Sequence, residues 1–556
     1  MTPRRLFFAF NILAIFSVLL QGGNIKIGQA ASPVFMSGIF TIVWGDGIQD
    51  SSESRITYFL YTIKYGNIHL VIDEILLTAK GGPVALNKKT VTVQGRWQEF
   101  GKSLQVQALT LTAGEMENPD GIYGSQPWVS ILCKFADVPA EPNNLEYFQE
   151  MYSLDYPGLD HYWQQQSYDL VNLEGSGAFG WYVLPHPRNY YLPGGNLDWW
   201  KAAEECTAAA DAYVDFSAYV GINLMFNEDL DCCAWGGGWY ACLDEICQTW
   251  RMTWEPPWGY QNSGVIAHET GHGFGLPHSL GNCQLGYDNR WDVMSSLWEN
   301  NPPDPIYGTL GQHTLSYHKQ VDGWITPEQI YTATPGTIRT IILERIAVPQ
   351  TVNYLESRIP INGSENYFYT LEARKKAYDP ISYDKFLPGS AVIIHEVEIT
   401  RPEPAILINP NGICDTSDEG AMWKPGEVFV DIPHGISVSI DSATESGYVV
   451  TINNRFTRME GVTIDSIESG YVGESIPFTA TISPNDATTP ITYTWEAIGL
   501  TPVVHVGETV DTIDFTWDEV GTQAITVTAS NDGGTVIDTW SIMVYFKLFL
   551  PVGLRN

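Results

Sequence analysis

Positive charge is scarce in this chain. Lys and Arg number 29 against 64 Asp and Glu, a net charge of −35 over 556 residues. Phosphate recognition needs clustered cations, so nucleic acid is excluded as a partner. The acidic surplus reads as a solvating surface, with adaptation to salt or calcium as the rival explanation. Long apolar runs are scarce too. Residues 6–20 are interrupted only by Asn11 and Ser17, and about fifteen residues are short for a membrane span. Arg4 and Arg5 precede this run and the small residues Gly28, Ala30, Ala31 and Ser32 come after it. That is the pattern of a signal peptide over 1–31, cleaved near Ala31. No second run of that length appears. The expected product is secreted and extracellular, with no transmembrane helix after signal removal; an uncleaved signal would keep it associated with the cell surface.

Cysteine is missing from residues 32–122, so that segment has no thiolate to offer a metal. Six of the eight cysteines crowd together instead: Cys206, Cys232, Cys233, Cys242, Cys247 and Cys283. They are disulfide candidates, in keeping with an oxidising compartment. A second zinc site built from thiolates is the alternative, but the spacing is not two C-x-x-C pairs. Adjacent Cys232 and Cys233 are expected to choose different partners. Cys133 and Cys414 are left over, with their pairing open.

Histidine is rare as well, 11 residues in all, yet three fall within eleven positions. His268-Glu269-x-x-His272-x-x-Gly275-x-x-His278 is H-E-x-x-H-x-x-G-x-x-H. Five fixed residues at these offsets arise by chance on the order of once in ten thousand such chains. The spacing has a mechanical reading. Positions i and i+4 share a helix face, so His268 and His272 can grip one metal ion. Asn262 or Ser263 can cap the helix start. Gly275 can end it, Pro277 prevents resumption, and the returning chain delivers His278. Three imidazoles and one open position are the coordination of a catalytic Zn2+. Glu269, beside the first ligand, can reach a water on that ion.

The length calls for several domains. Residues 32–122 look like a small β domain of about five strands, a barrel or sandwich, including 38–44, 68–72 and 89–95. Its place between signal and catalytic region is that of a pro-region. Lacking cysteine, it could inhibit only sterically or through a carboxylate. Residues 123–325 alternate strands (128–135, 219–226) with helices (145–152, 157–167, 197–217), and 171–183 read as a β-hairpin. Residues 231–261 form a long Trp- and Gly-rich loop ahead of the metal helix, placed to shape the cleft. Residues 326–455 are β-rich, with strands at 367–374 and 391–397. His395 and Glu396 are neighbours on a strand and point to opposite faces, so they are structural. Ca2+ candidates are Asp415, Asp418 and Glu419, and Asn227, Asp229 and Asp231; the latter lack the glycine of an EF-hand loop. Residues 456–545 show period-two strands and a Trp strand, an Ig-like β-sandwich. A short tail, 546–556, ends the chain as given. The expected fold class is multidomain: an α/β (α+β) catalytic domain flanked by all-β domains.

Residues 159–174, including Tyr162, Ser167 and Tyr168, resemble the Y-Y-x-x-x-S-Y-G-x-x-x-L block of bacterial immune inhibitor A-like peptidases. Residues 181–185 fit the next segment of that group's sequences, and 317–325 look like its K-x-x-x-G-W segment. The resemblance covers about 125–400. Members often end the histidine motif with Asp; here His278-Ser279 is closer to gametolysin-like and matrixin-like enzymes. All belong to the metzincin clan of zinc metallopeptidases, in which a methionine turn lies beneath the metal. Met294, in Trp291-Asp292-Val293-Met294-Ser295-Ser296, resembles that Met-turn residue. No tyrosine stands two residues after it, so the extra tyrosine ligand of some members has no candidate there. The terminal sandwich resembles the polycystic-kidney-disease-type (PKD-type) modules appended to secreted bacterial hydrolases, which implies binding to substrate or a cell surface.

Motif and resemblance together imply a secreted zinc metalloendopeptidase acting on protein or peptide substrates. Ligands are His268, His272 and His278, and Glu269 is the general base. The rivals are a zinc hydrolase of non-peptide bonds and an adhesive surface-binding protein whose zinc site is secondary.

Overall fold

Alternating apolar residues over 34–111 produce five strands: β1 (Val34–Gly47), β2 (Arg55–Thr62), β3 (Gly66–Val71), β4 (Thr90–Gln98) and β5 (Ser103–Leu111). Two short helices, α1 (Glu74–Thr78) and α2 (Pro83–Leu86), bridge β3 and β4. The computed structural model describes residues 33–48, 54–98, 103–112, 121–296, 300, 303–376, 381–410, 412, 421–455, 457–531 and 534–547. The signal segment, Cys414 and the calcium candidates Asp415, Asp418 and Glu419 lie outside these. β1 pairs with both β2 and β4, β3 runs parallel to β5, and the sheet closes in the order β1-β2-β3-β5-β4. This is the five-stranded OB-type barrel. Its interior is apolar: Phe40, Ile42, Leu60, Leu70, Val93 and Leu104 are buried there.

A short parallel pair, β6 (Gly124–Ser125) and β8 (Val171–Asn172), precedes the second sheet. That sheet comprises β7 (Trp128–Lys134), β9 (Gly177–Val183), β10 (Gly221–Phe226), β11 (Cys233–Leu243) and β12 (Ile246–Glu255). Helices α3 (Leu145–Glu150), α4 (Leu159–Ser167), α5 (Arg188–Tyr191) and α6 (Trp199–Ala210) connect its parallel strands. β8 and β9 belong to different sheets, which corrects the hairpin expected over 171–183. The segment 231–261 is no loop either: β11 and β12 form a hairpin, and its glycines let the strand approach a helix closely. Helix α6 stops at Ala210, short of Ser217.

β11 runs antiparallel to β12, and its outer edge pairs with residues 43–47 of β1. Barrel and second sheet are therefore one ten-stranded sheet. Val43 and Phe59 of the barrel sit in the same buried cluster as Trp235 and Trp254.

Helix α7 (Pro257–Tyr260) leads into α8 (Ser263–Phe274), and β13 (Ser279–Leu280) comes next. β13 pairs with Ala405–Leu407 in a six-stranded sheet that also holds Tyr367–Arg374 and Ala391–Glu398. A four-stranded sheet packs with it around Leu371, Ile394, Val438 and Val450. Beyond 457, sheets of three and five strands enclose Phe478, Trp495 and Val527 as a sandwich. No helix among the described residues is long and apolar enough to cross a membrane.

Candidate metal centre

Every residue of α8 is buried. The helix packs on β11 and can do so because Gly236 has no side chain: a Cβ there would stand 2.6 Å from the Glu269 carbonyl oxygen. Asn262 precedes the first turn but its side chain does not cap it; it donates to Trp258 and accepts from Thr309 instead. Gly275, with φ of 120°, ends the helix as expected. Lys88 of the barrel donates to the carbonyls of Gly273 and Phe274, the last turn of α8.

The three predicted ligands meet. Their Nε2 atoms are 3.1 Å (His268–His272), 3.2 Å (His268–His278) and 3.0 Å (His272–His278) apart. The Nδ1 of His268 lies 2.7 Å from the Val293 carbonyl, and that of His272 lies 2.8 Å from Leu276 O. A carbonyl only accepts, so both Nδ1 atoms carry the proton and both Nε2 atoms present lone pairs to one another. Lone pairs converging at hydrogen-bond distance repel unless a cation stands between them.

A fourth group completes the set, and it comes from the barrel. Asp46 Oδ1 is 2.8 Å from His278 Nε2, and Oδ2 is 3.4 Å from Nε2 of both His268 and His272. The three Nε2 atoms thus form a triangle with edges of about 3 Å, faced by both Asp46 oxygens, a donor spacing that suits bonds of about 2 Å to one metal ion. Asp46, His268, His272 and His278 are all buried and can hold one metal ion. Burial raises the Asp46 carboxyl, but His278 and His268 outweigh it and hold it well below the usual range. Burial lowers His278, yet Asp46 and Glu403 push it up to about 10; Glu403 Oε1 stands 3.8 Å from its Nδ1.

Glu269 is buried next to this set, and neither carboxylate oxygen receives a hydrogen bond. The same holds for Glu255 at the end of β12. Burial first, then Asp46 and Glu255, raise Glu269 well above an ordinary carboxyl; burial pushes Glu255 up to about 8. Asp46 and the three histidines can thus hold a metal ion, with the buried carboxyls of Glu269 and Glu255 beside them.

Met294 is buried beneath α8. A Cβ on Gly271 would stand 2.5 Å from its sulfur, so the bare Gly271 lets the methionine reach the helix. Asp292 shapes this turn, accepting from Met294 N, Ser279 Oγ and Thr314 Oγ1. Asn289 adds a bond from Trp291 N and donates to His395 Nε2. His395 is buried and braces the turn through Asn289.

Sequence reasoning missed Asp46, Glu255, Trp44 and Tyr287. Trp44, two residues before Asp46 on the same strand face, stacks on His272 at 4.6 Å with planes 3° apart. Tyr287, at φ 51°, donates its hydroxyl to Asp46 Oδ1. A cavity of about 290 Å³ opens beside His278, walled by Ser54 to Ile56, Gln284 to Tyr287 and Glu403. The signal that bore on Asp46 was the cysteine-free segment itself, which, if it inhibits, must do so sterically or through a carboxylate.

The cysteines differ from expectation. Cys232 and Cys233 bond to each other, Cys242 pairs with Cys247, and Cys133, expected to be left over, pairs with Cys206; Cys283 is also disulfide-bonded. Asp231 with Cys232 and Cys233 therefore offers no thiolates. Asn227 and Asp231, read as calcium candidates with Asp229, are taken up by the fold. Asn227 bonds to Phe135, Val138 and Ala140, and Asp231 to Leu197 and Trp235.

No protein-family model and no curated protein matches the chain. Solved structures with some similarity include the PKD domain of an M14-like peptidase from a Thermoplasmatales archaeon, at 18% identity, TM-score 0.14, covering 15% of this chain and 92% of that one. The PKD domain of the human VPS10 domain-containing receptor SorCS2 matches at 16% identity, TM-score 0.16, covering 17% and 82%. A superoxide reductase from Ignicoccus hospitalis matches at 13%, TM-score 0.13, covering 16% and 82%. Scores this low carry no argument about function.

Proposed function

We propose that this chain is a zinc-dependent endopeptidase of the metzincin type, exported to act on extracellular proteins, with Met294 as its Met-turn residue. The observation that carries the reading is the convergence of three Nε2 atoms beside Glu269, whose oxygens receive no hydrogen bond. A zinc ion held there would supply Lewis acidity, able to lower the pKa of water toward about 7 and to polarise a carbonyl. His268, His272 and His278 would hold the ion, and the Val293 and Leu276 carbonyls fix the orientation of the first two rings. Burial and neighbouring carboxylates raise the proton affinity of Glu269. It is placed to take the proton of an attacking water and return it to the leaving amine. The disulfides accord with an exported setting, and the terminal sandwich is read as a PKD-type module that binds substrate or spaces the enzyme from a surface.

One observation favours a second reading. With Asp46 the site has four protein donors, the closed set of a structural ion, as in a binding protein with no catalysis. Digestion of casein by the processed secreted form, zinc-loaded by metal analysis, separates the two. We expect cleavage that falls about 10²–10⁴-fold in Glu269→Ala with zinc still bound. A processed, zinc-loaded protein that cuts neither casein nor gelatin would overturn the peptidase reading.

A further inference from the structure

Backbone pairing brings Glu403 to the edge of the metal centre. β13 runs parallel to Ala405–Leu407, with Ser279 opposite Ala405 and Leu280 opposite Ile406. His278 stands immediately before β13, and Glu403 two residues before Ala405. Pro402 and Pro404 flank Glu403. A proline fixes its own φ and restricts the residue ahead of it, so the backbone at Glu403 is held in one place. Among the described residues its carboxylate makes one ion pair, with His278 Nδ1 at 3.8 Å, longer than a hydrogen bond. Arg401 is taken up by Glu396 and Glu398 instead. Arg55 lines the same cavity, but its Nη1 donates to Asn196. A carboxylate has about four lone-pair sites, so Glu403 keeps acceptor capacity toward the cavity of about 290 Å³ that it lines. Another wall is a braced loop. Asp288 accepts from the backbone N–H groups of Gly281, Cys283 and Leu285, and Cys283 is disulfide-bonded. Leu280 and Leu285 add apolar surface to the lining.

We propose that this cavity is a subsite for a cationic side chain, lysine or arginine, of a polypeptide held at the metal centre, and that Glu403 is the residue that selects it. The inference rests on the peptidase reading and names the substrate class of that site. His278 belongs both to the donor set and to the cavity wall, so a side chain seated there comes from a residue next to the bond being cut. The aliphatic stem of Lys or Arg lies along Leu280 and Leu285 while its charged head reaches Glu403. A hydrogen bond between two charged groups is roughly twice as strong as a neutral one. A substrate Asp or Glu meets a like charge at the same point and is rejected.

The test measures binding and cleavage separately. Binding uses the processed, zinc-loaded protein carrying Glu269→Ala, titrated calorimetrically with peptides of Gly, Ala and Ser that hold one central Lys, norleucine or Glu. Physiological salt screens the general negative charge of the chain beyond about 8 Å. The Lys peptide should bind about 10- to 100-fold more tightly than the norleucine peptide, the worth of one hydrogen bond to a charged group. The Glu peptide should bind most weakly. Adding Glu403→Gln should bring the Lys-to-norleucine ratio to about 1–3, and Glu403→Arg should turn the preference toward the Glu peptide. Should the arginine variant fail to fold, the isosteric glutamine variant carries the test. With Glu269 intact, casein fragments sequenced by mass spectrometry should show Lys and Arg concentrated on one side of the cut bonds. Equal binding of the Lys and norleucine peptides overturns the proposal. So does a Glu403→Gln protein that, reloaded with zinc, still prefers Lys, since Glu403 then serves His278 alone. Glu403-dependent binding of Lys without cleavage upholds the subsite and removes the peptidase. Cleavage of casein without Lys-selective binding does the reverse.

Discussion

At the scale of single residues, the site depends on groups that touch no metal. His395 is one. It is buried in the strand Ala391–Glu398 and accepts from Asn289, which in turn holds the backbone at Trp291 and donates to Ser279 Oγ next to His278. Burial pushes His395 down to about 3. The unfolded chain takes up this proton near pH 6.5 and the folded chain does not, so the unfolded state binds more protons between these values. Stability is therefore lost as pH falls from 6.5 toward 3, by up to about 1.4 kcal/mol per pH unit from this group. His395→Gln should flatten that slope in urea unfolding curves taken between pH 4 and 7. An unchanged slope would show that other groups carry the acid sensitivity. His272, also pushed down to about 3 by burial, is unsuited to this test because a bound metal replaces its proton.

At the scale of elements, α8 was legible because its pattern is local. The four-residue offset, Gly275 and Pro277 act within three turns of chain. What braces the helix was not legible, because its partners lie far away in sequence. Lys88 reaches its final carbonyls from 185 residues upstream. Burial brings the Lys88 amine down to about 7, yet in either protonation state it donates. Lys88→Met keeps the apolar stem and removes the donor. It should cost about 0.5–2 kcal/mol, read as a lower thermal midpoint of the metal-free protein, with faster zinc loss to a chelator. An unchanged midpoint would mean that solvent satisfies those carbonyls. The β11–β12 hairpin was missed for a different reason. Its Gly236-Gly237-Gly238 run reads as a loop, but Gly236 must stay bare because Glu269 and His272 pack against it, and Gly237 because the Ile42 carbonyl does. Tertiary crowding overrode a weak strand propensity.

At the scale of the whole molecule, two assemblies meet different needs. The apolar cluster of the C-terminal sandwich draws only on residues from Met459 onward, whereas the metal centre draws on Asp46, on α8 and, through β13, on Ala405–Leu407. A chain ending at residue 455 should keep its zinc affinity within about twofold and lose one calorimetric transition. Weaker zinc binding would show that the sandwich supports the centre. The sequence by itself located three candidate ligands, Glu269 beside them and the separate terminal module, because helix periodicity and strand alternation are short-range rules. It also limited any inhibition by residues 32–122 to sterics or a carboxylate. Only the tertiary structure decided that β1 lies along β11, that Asp46 joins the three histidines, and that Cys232 bonds to its neighbour. Each of these depends on where a sheet edge is filled and which surfaces are buried together, and the pairing of distant strands leaves no periodic trace in the chain.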